Sequence, residues 1–208
     1  MGLIFDIGCH TGEWILANYK EEDKFIGVEA EIELWRQTTD RFKTYGNVII
    51  LHNVVADKIK KYKFYVSEPP RLALSASKDW MTNYRTADSF KWRKPVKVQG
   101  ITLDALIEEY GVPDIVKIDV EGFELKVLGG LSQKVGMISF EYMEELLDQA
   151  LDCIDYLYKL GYEKFNWIHG DAYKHVPQEW MSYNEIKEFF AIDFIPERKS
   201  RWGMVFAE

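Results

Sequence analysis

Short, continuous apolar runs alternate along the chain with longer segments of mixed polarity. The runs at 3–7, 24–29 and 48–51 lack the two-residue alternation of a half-exposed strand, which indicates parallel strands buried on both faces. The segments between them, 13–20 and 32–45, predict helices, the second with its apolar residues roughly on one face. Strand, helix, strand, helix and strand in this order predict a doubly wound α/β fold.

An insertion interrupts this pattern after the third strand. Residues 60–66 alternate between polar and apolar side chains, as an antiparallel or edge strand does, and 96–103 predict a second strand of the insertion. The segment between them, 67–94, is irregular and rich in aromatic residues. A segment of that length inside a compact domain usually has a function, and its aromatic content argues against disorder.

The remainder of the chain completes the predicted sheet. Thr102 or Asp104 is the candidate cap of a helix ending at Tyr110. The further predicted elements are strands at 115–118, 137–141, 162–168 and 202–207 and helices at 144–160 and 183–190. Together these elements predict a mostly parallel seven-stranded sheet in a single domain spanning residues 1–208.

The loop after the first strand contains two glycines, Gly8 and Gly12, which predict a tight turn and close approach of the backbone to a ligand. A dinucleotide-binding loop has a glycine where this chain has Asp6, because its amides face a pyrophosphate. A carboxylate there would repel a pyrophosphate and favours a ligand with a cationic end, such as S-adenosylmethionine. Glu29 ends the second strand about 20 residues beyond the loop, where an acid accepts ribose hydroxyls. The alternative is a tight turn that binds no ligand.

The predicted cofactor contacts lie at the carboxyl ends of the predicted strands, where open α/β sheets bind ligands. Asn53 follows the third strand, where an adenine would lie, although a simple turn explains it equally well. Lys117 interrupts an apolar strand and needs a partner, which nearby acids can provide. The predicted contacts are Asp6, Gly8, Cys9, His10, Thr11, Gly12, Glu29, Ala30, Asn53, Val54, Asp119 and Glu121.

Composition and charge narrow the class of protein. The chain has 208 residues, 47% of them hydrophobic and 29% charged, which is ordinary for one globular domain. Its net charge of −8 argues against a nucleic-acid partner, since phosphate binding needs a basic surface. Cys9 and Cys153 have no metal-binding or disulfide spacing, so a reducing, cytoplasmic setting is the simpler interpretation. No apolar run approaches the roughly 20 residues needed to span a bilayer, so no membrane anchor is predicted.

Three stretches together resemble the FkbM family of S-adenosylmethionine-dependent methyltransferases: 5–12, 101–104 and, most specifically, 117–124. The likeness extends over roughly residues 3–142. Two positions depart from the family pattern, since members often have asparagine at the position of His10 and proline after the acid that ends the second strand, where this chain has Ala30. The resemblance implies a Rossmann-like class I methyltransferase fold and O-methyl transfer, often to hydroxyls of sugars or polyketide-type natural products.

On this basis we predict an O-methyltransferase acting on a hydroxyl of a sugar or glycan. Asp119 is the preferred base, Lys117 would tune its charge, and Glu141 is the next candidate. The alternative is that Asp119 only holds the cofactor and that Glu121 only caps the next helix. Some related sugar methyltransferases bind a divalent cation through acids at the ends of strands four and five, here Asp119 and Glu141, and these oxygens suit Mg²⁺ or Mn²⁺.

Several alternatives remain open from sequence. The chain can instead be a noncatalytic nucleoside-binding module of a glycan-building protein, a methyltransferase for a non-sugar product or, less well supported because of Asp6, an NAD-dependent enzyme. The acceptor is a small molecule or a glycan, and its sugar face can stack on Trp80 or Trp92. Because the first strand begins at Leu3, either later insertions cover the substrate or the chain is a domain of a longer protein. The oligomeric state is not predicted.

Overall fold

The computed structural model contains two sheets, a large one at the centre and a small one formed by the insertion. The described residues are 1–68, 74–77, 81, 91–170, 179–193 and 202–208. The helices and strands in chain order are β1 (Leu3–Ile7), α1 (Glu13–Asn18), β2 (Lys24–Glu29), α2 (Ile32–Arg41), β3 (Val48–His52), β4 (Val54–Val55), β5 (Lys61–Val66), β6 (Leu74–Ser75), β7 (Val96–Ile101), α3 (Leu103–Tyr110), β8 (Ile115–Ile118), α4 (Glu124–Leu128), β9 (Met137–Met143), α5 (Leu147–Lys159), β10 (Lys164–His169), β11 (Met181–Ser182), α6 (Tyr183–Glu188) and β12 (Trp202–Ala207). A 3₁₀ turn, Glu144–Leu146, precedes α5, and a π-helical turn, Phe189–Asp193, follows α6.

The large sheet has the strand order β11-β10-β12-β9-β8-β1-β2-β3. Its strands from β9 to β3 are parallel to one another, whereas β12 runs antiparallel to both β9 and β10. This confirms the doubly wound α/β prediction. The sheet has eight strands rather than seven because Met181 and Ser182 pair with the start of β10 at the edge. Two residues are too few to show a periodic pattern in the sequence.

Burial of the central strands on both faces accounts for their continuous apolar sequences. Phe5, Ile7, Val116 and Ile118 are almost fully buried where β1 and β8 lie side by side. On α5, the buried residues Ala150, Cys153, Ile154 and Leu157 recur at the spacing of one helix face, which packs on the sheet. The core therefore continues from the central strands into the helical layer.

Several predicted helix bounds differ from the structure: α1 ends at Asn18 rather than at residue 20, and α6 at Glu188 rather than at residue 190. The segment 32–45 is helical only to Arg41, because the chain then turns, with the amide of Tyr45 donating to the carbonyl of Phe42 at 2.9 Å. The helix predicted from Glu144 begins as the 3₁₀ turn and becomes α-helical at Leu147. Helix α3 has the predicted cap, since the Thr102 hydroxyl accepts from the amide of Ala105.

The insertion forms the small sheet, with the order β4-β7-β5-β6. Strands β5 and β7 are antiparallel, and their apolar side chains pack on Val54 and Ala56, with Phe123 at the margin of this cluster. One face of the insertion is thereby held against the carboxyl-end edge of the large sheet. Over the described residues, no helix has the length and hydrophobicity to cross a bilayer.

Candidate functional site

A cavity of about 340 Å³ opens at the carboxyl ends of β1, β2 and β8, the edge where open α/β sheets bind ligands. Its volume is within the range of small-molecule sites. The cavity is lined by Ile7, Gly8, Cys9, His10, Thr11, Glu13, Trp14, Val28, Glu29, Ala30, Asn53, Val54, Val55, Phe64, Ala76, Lys117, Asp119, Val120, Glu121 and Phe123. Ten of the twelve predicted cofactor contacts are among these residues, and Asp6 and Gly12 are not.

Gly8 connects the ends of three strands. Its amide donates to the carbonyl of Val28 at 2.9 Å, and the amide of Asp119 donates to the carbonyl of Ile7 at 2.9 Å. Gly8 has a φ of 80°, and a Cβ atom there would lie only 1.8 Å from the carbonyl oxygen of Asp119. The position therefore requires glycine, both for its backbone conformation and for the approach of β8.

Gly12 has a packing role instead. A Cβ atom at this position would lie 2.4 Å from Cε2 of Phe42, and its φ is 77°. The absence of a side chain lets the start of α1 approach the end of α2. Gly12 thus supports the shape of the loop from outside the cavity wall.

Glu29 holds the glycine loop in place. One of its carboxylate oxygens accepts from the amide of His10 at 2.9 Å and the other from the amide of Glu31 at 2.7 Å. His10 has a φ of 47°, and the hydroxyl of Thr38 donates to its carbonyl at 2.6 Å. Burial raises the pKa of Glu29 to about 7. The amide of Ala30 also hydrogen-bonds the carboxylate, so one of its four lone pairs is left to accept a ligand hydroxyl.

Asp6 lies next to Lys117 rather than at the cavity wall. The register of the parallel strands sets Asp6 beside Gly27 on one side and Lys117 on the other. The Nζ atom of Lys117 lies 3.4 Å from Oδ1 of Asp6 and 3.1 Å from Oδ2 of Asp119. Burial raises the pKa of the fully buried Asp6, and the ammonium of Lys117 opposes that rise. Asp6 is thus positioned as a counter-ion of Lys117.

The cavity wall itself is acidic. Four carboxylic acids line it, Glu13, Glu29, Asp119 and Glu121, against the single ammonium of Lys117 among the described lining residues. Such a wall attracts a cation and repels a diphosphate. The preference for a cationic ligand, which the sequence assigned to Asp6, therefore comes from the acids that line the cavity.

The loop after β8 is held in an uncommon conformation. Glu121 has a φ of 54° and Gly122 a φ of 79°. The carboxylate of Glu124, rather than that of Glu121, accepts from the amides of Val120 and Gly122, at 3.1 and 3.2 Å. The hydroxyl of Ser75, from β6 of the insertion, donates to the carbonyl of Glu121 at 2.7 Å. The insertion and β8 thus shape this part of the wall jointly.

Glu141 lies apart from the cavity. Strand β9 continues to Met143, so Glu141 is inside the strand rather than at its end. It lines a separate, much smaller cavity together with Glu124, and burial, reinforced by the charge of Asp119, raises its pKa well above the usual range. Within the described ranges, no group of three or more His, Cys, Asp or Glu side chains is placed to hold a metal ion. The divalent cation predicted through Asp119 and Glu141 therefore gains no support.

The lining residues that the sequence did not identify include five that lie outside the central strands and the glycine loop. Glu13 and Trp14 directly follow the glycine loop, so their proximity to it was a usable signal. Phe64 and Ala76 come from the insertion and Phe123 from the loop after β8, and no local pattern marks them as lining residues. Trp80, predicted as a stacking surface, lies outside the described residues, whereas Trp92 packs near Met143.

Comparisons with known proteins agree with this geometry. The family model described as methyltransferase FkbM domain matches residues 6–164. The chain is similar in structure to the precorrin-6y C5,15-methyltransferase of Geobacter metallireducens GS-15, with a TM-score of 0.50 and 12% identity, covering 100% of this chain and 79% of that one. It is also similar to Aeropyrum pernix fibrillarin in complex with S-adenosyl-L-methionine, with a TM-score of 0.50 and 10% identity, covering 100% of this chain and 66% of that one. No protein of curated function matches by sequence. At these identities the two structures support the fold alone.

Proposed function

The chain belongs to the FkbM family of S-adenosylmethionine-dependent methyltransferases, and from this premise we propose that it methylates a hydroxyl group of a sugar or glycan. S-adenosylmethionine supplies a methyl carbon bonded to a positively charged sulfur, which makes that carbon electrophilic. The observation that carries the proposal is the position of Asp119, which lines the same cavity as nine other predicted cofactor contacts.

The residues present fit this cofactor. Gly8 leaves no side chain between the loop and the end of β8, and the cavity volume suits a nucleoside with a short tail. Glu29 has free acceptor capacity for a ribose hydroxyl, and Asn53 and Val54 line the side where a base would lie. The acidic wall favours the positively charged end of the cofactor. We assign cofactor binding to these residues and to the loop 8–12.

Asp119 is the proposed base for the acceptor hydroxyl. Its side chain is 26% exposed, so a substrate can reach it, and the 3.1 Å contact with Lys117 restricts its orientation. Alignment of the two reactants supplies roughly 7–11 kcal/mol in favourable cases, and a base adds roughly 10²–10⁴-fold. Glu141 is the second candidate, but it lines a separate cavity and burial raises its pKa well above the usual range, which disfavours the ionised form that a base needs.

The substitution Asp119→Asn tests this assignment. It keeps the shape of the side chain and removes the base, so we expect turnover to fall by roughly 10²–10⁴-fold. Binding of S-adenosylhomocysteine, measured by calorimetry, should change by only a few-fold. Turnover is measured as S-adenosylhomocysteine formed with a panel of oligosaccharides, and mass spectrometry should show acceptors heavier by one CH₂.

The control is Asp152→Asn, which removes the same charge from an exposed position on α5. It should retain full turnover. Undiminished turnover in Asp119→Asn would reassign the base, and a folded wild-type protein that binds no S-adenosylhomocysteine would overturn the proposed function.

A further inference from the structure

The insertion is strongly basic in a chain that is acidic overall. The segments 57–63 and 91–97 contain eight of the chain's 26 Lys and Arg residues and only one of its 34 Asp and Glu residues. All eight basic side chains are exposed. Since the net charge of the whole chain is −8, this concentration of positive charge is a local feature of the insertion.

Three of these lysines share one face of the small sheet, which we call the lysine face: Lys61, Lys63 and Lys97. Lys63 lies directly opposite Lys97 in the antiparallel pair of β5 and β7, and Lys61 is two residues along the same strand. Side chains two residues apart point to the same face, about 7 Å apart. The other face, with Phe64 and Val98, is buried against the large sheet. The lysine face is therefore the outer surface of the insertion.

No described acid compensates the positive charge of this face. The one acid of the two segments, Asp57, accepts from the hydroxyl of Tyr62 at 2.7 Å and pairs with Lys126 at 3.4 Å. Across the described parts of the chain, no carboxylate pairs with any of the three lysines. Like charges directly opposite each other on neighbouring strands destabilise a sheet. The arrangement costs stability in the free protein and is relieved when an anion binds.

We propose that the lysine face binds an acidic polysaccharide, which carries the hydroxyl to be methylated. This rests on the proposed function, because it specifies the acceptor as a polymer with carboxylate or other acidic groups. The face lies on the opposite side of the small sheet from Phe64, which lines the cofactor cavity. A polymer bound on the outer face reaches the cavity where it passes around the edge of the small sheet.

The composition of the face favours a polysaccharide over a nucleic acid. Single-stranded nucleic acids are bound by basic grooves in which aromatic side chains stack on the bases. On β5 the half-buried Tyr62 points inward and contacts Phe123 edge-on, with ring centres 5.9 Å apart. Strand alternation places Tyr65 with Lys61 and Lys63, but a single half-buried ring does not form a platform on which successive bases stack. Lysines are flexible point charges that suit acidic groups spread along a polymer, whereas bidentate recognition of single phosphates favours arginine.

Binding of fluorescently labelled polygalacturonate tests the proposal. Fluorescence anisotropy is measured at several salt concentrations for the wild type and for a variant with Lys61→Gln, Lys63→Gln and Lys97→Gln. We expect at least about tenfold weaker binding by the variant at low salt, and a shallower salt dependence, because three exposed charge contacts are lost. The matched control carries Lys20→Gln, Lys43→Gln and Lys159→Gln, which remove the same charge from exposed sites outside the insertion and should bind like the wild type.

The same measurement is made with labelled dextran, which is a neutral polysaccharide, and with labelled polyuridylate, which is a single-stranded nucleic acid. Equal binding of polygalacturonate by the two triple variants, or none by the wild type, overturns the proposal. Tighter binding of polyuridylate than of polygalacturonate overturns it in favour of a nucleic-acid partner. Calorimetry with S-adenosylhomocysteine is run on every sample, so that loss of cofactor binding, which would contradict the methyltransferase proposal, is separated from loss of polymer binding.

Discussion

Lys117 provides the sharpest test of the site's electrostatics, because it is the counter-ion of a carboxylate that is completely buried. Its Nζ atom lies 3.4 Å from Oδ1 of Asp6, and its own side chain is 8% exposed. Apart from Lys117, no described residue provides a hydrogen bond to Asp6. At an effective dielectric constant near 20, two charges at this distance attract each other by about 5 kcal/mol. We propose the substitution Lys117→Met, which keeps the apolar stem and removes the ammonium.

Without Lys117, Asp6 can stay charged or take up a proton. Breaking a buried ion pair typically costs about 3–5 kcal/mol. Protonating a carboxyl group of ordinary pKa 3.8 at pH 7 costs about 4 kcal/mol, which sets a ceiling on the penalty. Part of this cost is already present in the wild type, since burial raises the pKa of Asp6. We therefore expect Lys117→Met to lower the free energy of unfolding by about 2–4 kcal/mol at pH 7.

The pH dependence of stability shows whether the unpaired carboxyl of Asp6 causes the loss of stability in Lys117→Met. In the variant, Asp6 is protonated in the folded state and ionised in the unfolded state at any pH above its ordinary pKa of 3.8. The folded state then binds more protons, so stability falls as the pH rises, by up to about 1.4 kcal/mol per unit. The deficit relative to the wild type should therefore shrink by up to about 3 kcal/mol between pH 7 and pH 5.

Urea denaturation, followed by tryptophan fluorescence and circular dichroism, measures these values for the wild type, Lys117→Met, Asp6→Asn and the double variant. Removing both partners leaves no uncompensated buried charge, so the double variant should be more stable than the sum of the single effects by about 2 kcal/mol. A deficit for Lys117→Met below about 1 kcal/mol, equal at pH 5 and pH 7, would refute this account of the pair. Additive effects of Lys117→Met and Asp6→Asn on the free energy of unfolding would also refute it.

Three further variants probe the loop, the buried acids and the insertion. Gly8→Ala places a methyl group 1.8 Å from the carbonyl oxygen of Asp119, at a residue with a φ of 80°. We therefore expect the free energy of unfolding, measured by urea denaturation, to fall by about 2 kcal/mol or more, and S-adenosylhomocysteine binding to weaken at least tenfold. Burial raises the pKa of Glu124 to about 7, above its ordinary 4.5, so the stability it contributes is present below about pH 4.5 and is lost as the pH rises through 7. Glu124→Gln keeps an oxygen acceptor, and its melting temperature should fall less than that of the wild type between pH 5 and pH 8. Ser75→Ala removes the hydrogen bond to Glu121, which should cost about 1 kcal/mol in urea denaturation and weaken cofactor binding a few-fold in calorimetry.

A control or a contradicting outcome is defined for each of these variants. Gly46→Ala adds a methyl group with no atom within 4 Å and should leave stability and binding unchanged. Wild-type affinity in Gly8→Ala would contradict the close approach of β8 to the loop. An unaltered pH profile in Glu124→Gln would assign the loss of stability at rising pH to other groups, and full affinity in Ser75→Ala would show that the insertion does not support the cavity wall.

Local patterns along the chain were sufficient for the fold and for most of the glycine loop at the cavity. The continuous apolar strands, the glycines after the first strand and the acid that ends the second are each encoded within a few residues. Periodicity and turn chemistry act over that range, so the predicted strands and the positions of Gly8 and Glu29 at the cavity followed from the sequence. The stretch 117–124 also indicates the family.

Contacts between distant residues were decided by the tertiary structure. Asp6 faces Lys117 because β8 is inserted beside β1, a pairing of residues more than a hundred positions apart that no local pattern specifies. Glu141 is removed from the main cavity because β9 continues past it, and Phe64 reaches the cavity because the insertion folds over the sheet edge. Side-chain alternation along a strand gives two possible faces, but strand order and register decide which neighbour occupies each face. That is the physical reason why the fold was predictable from the chain and the partners of its charged groups were not.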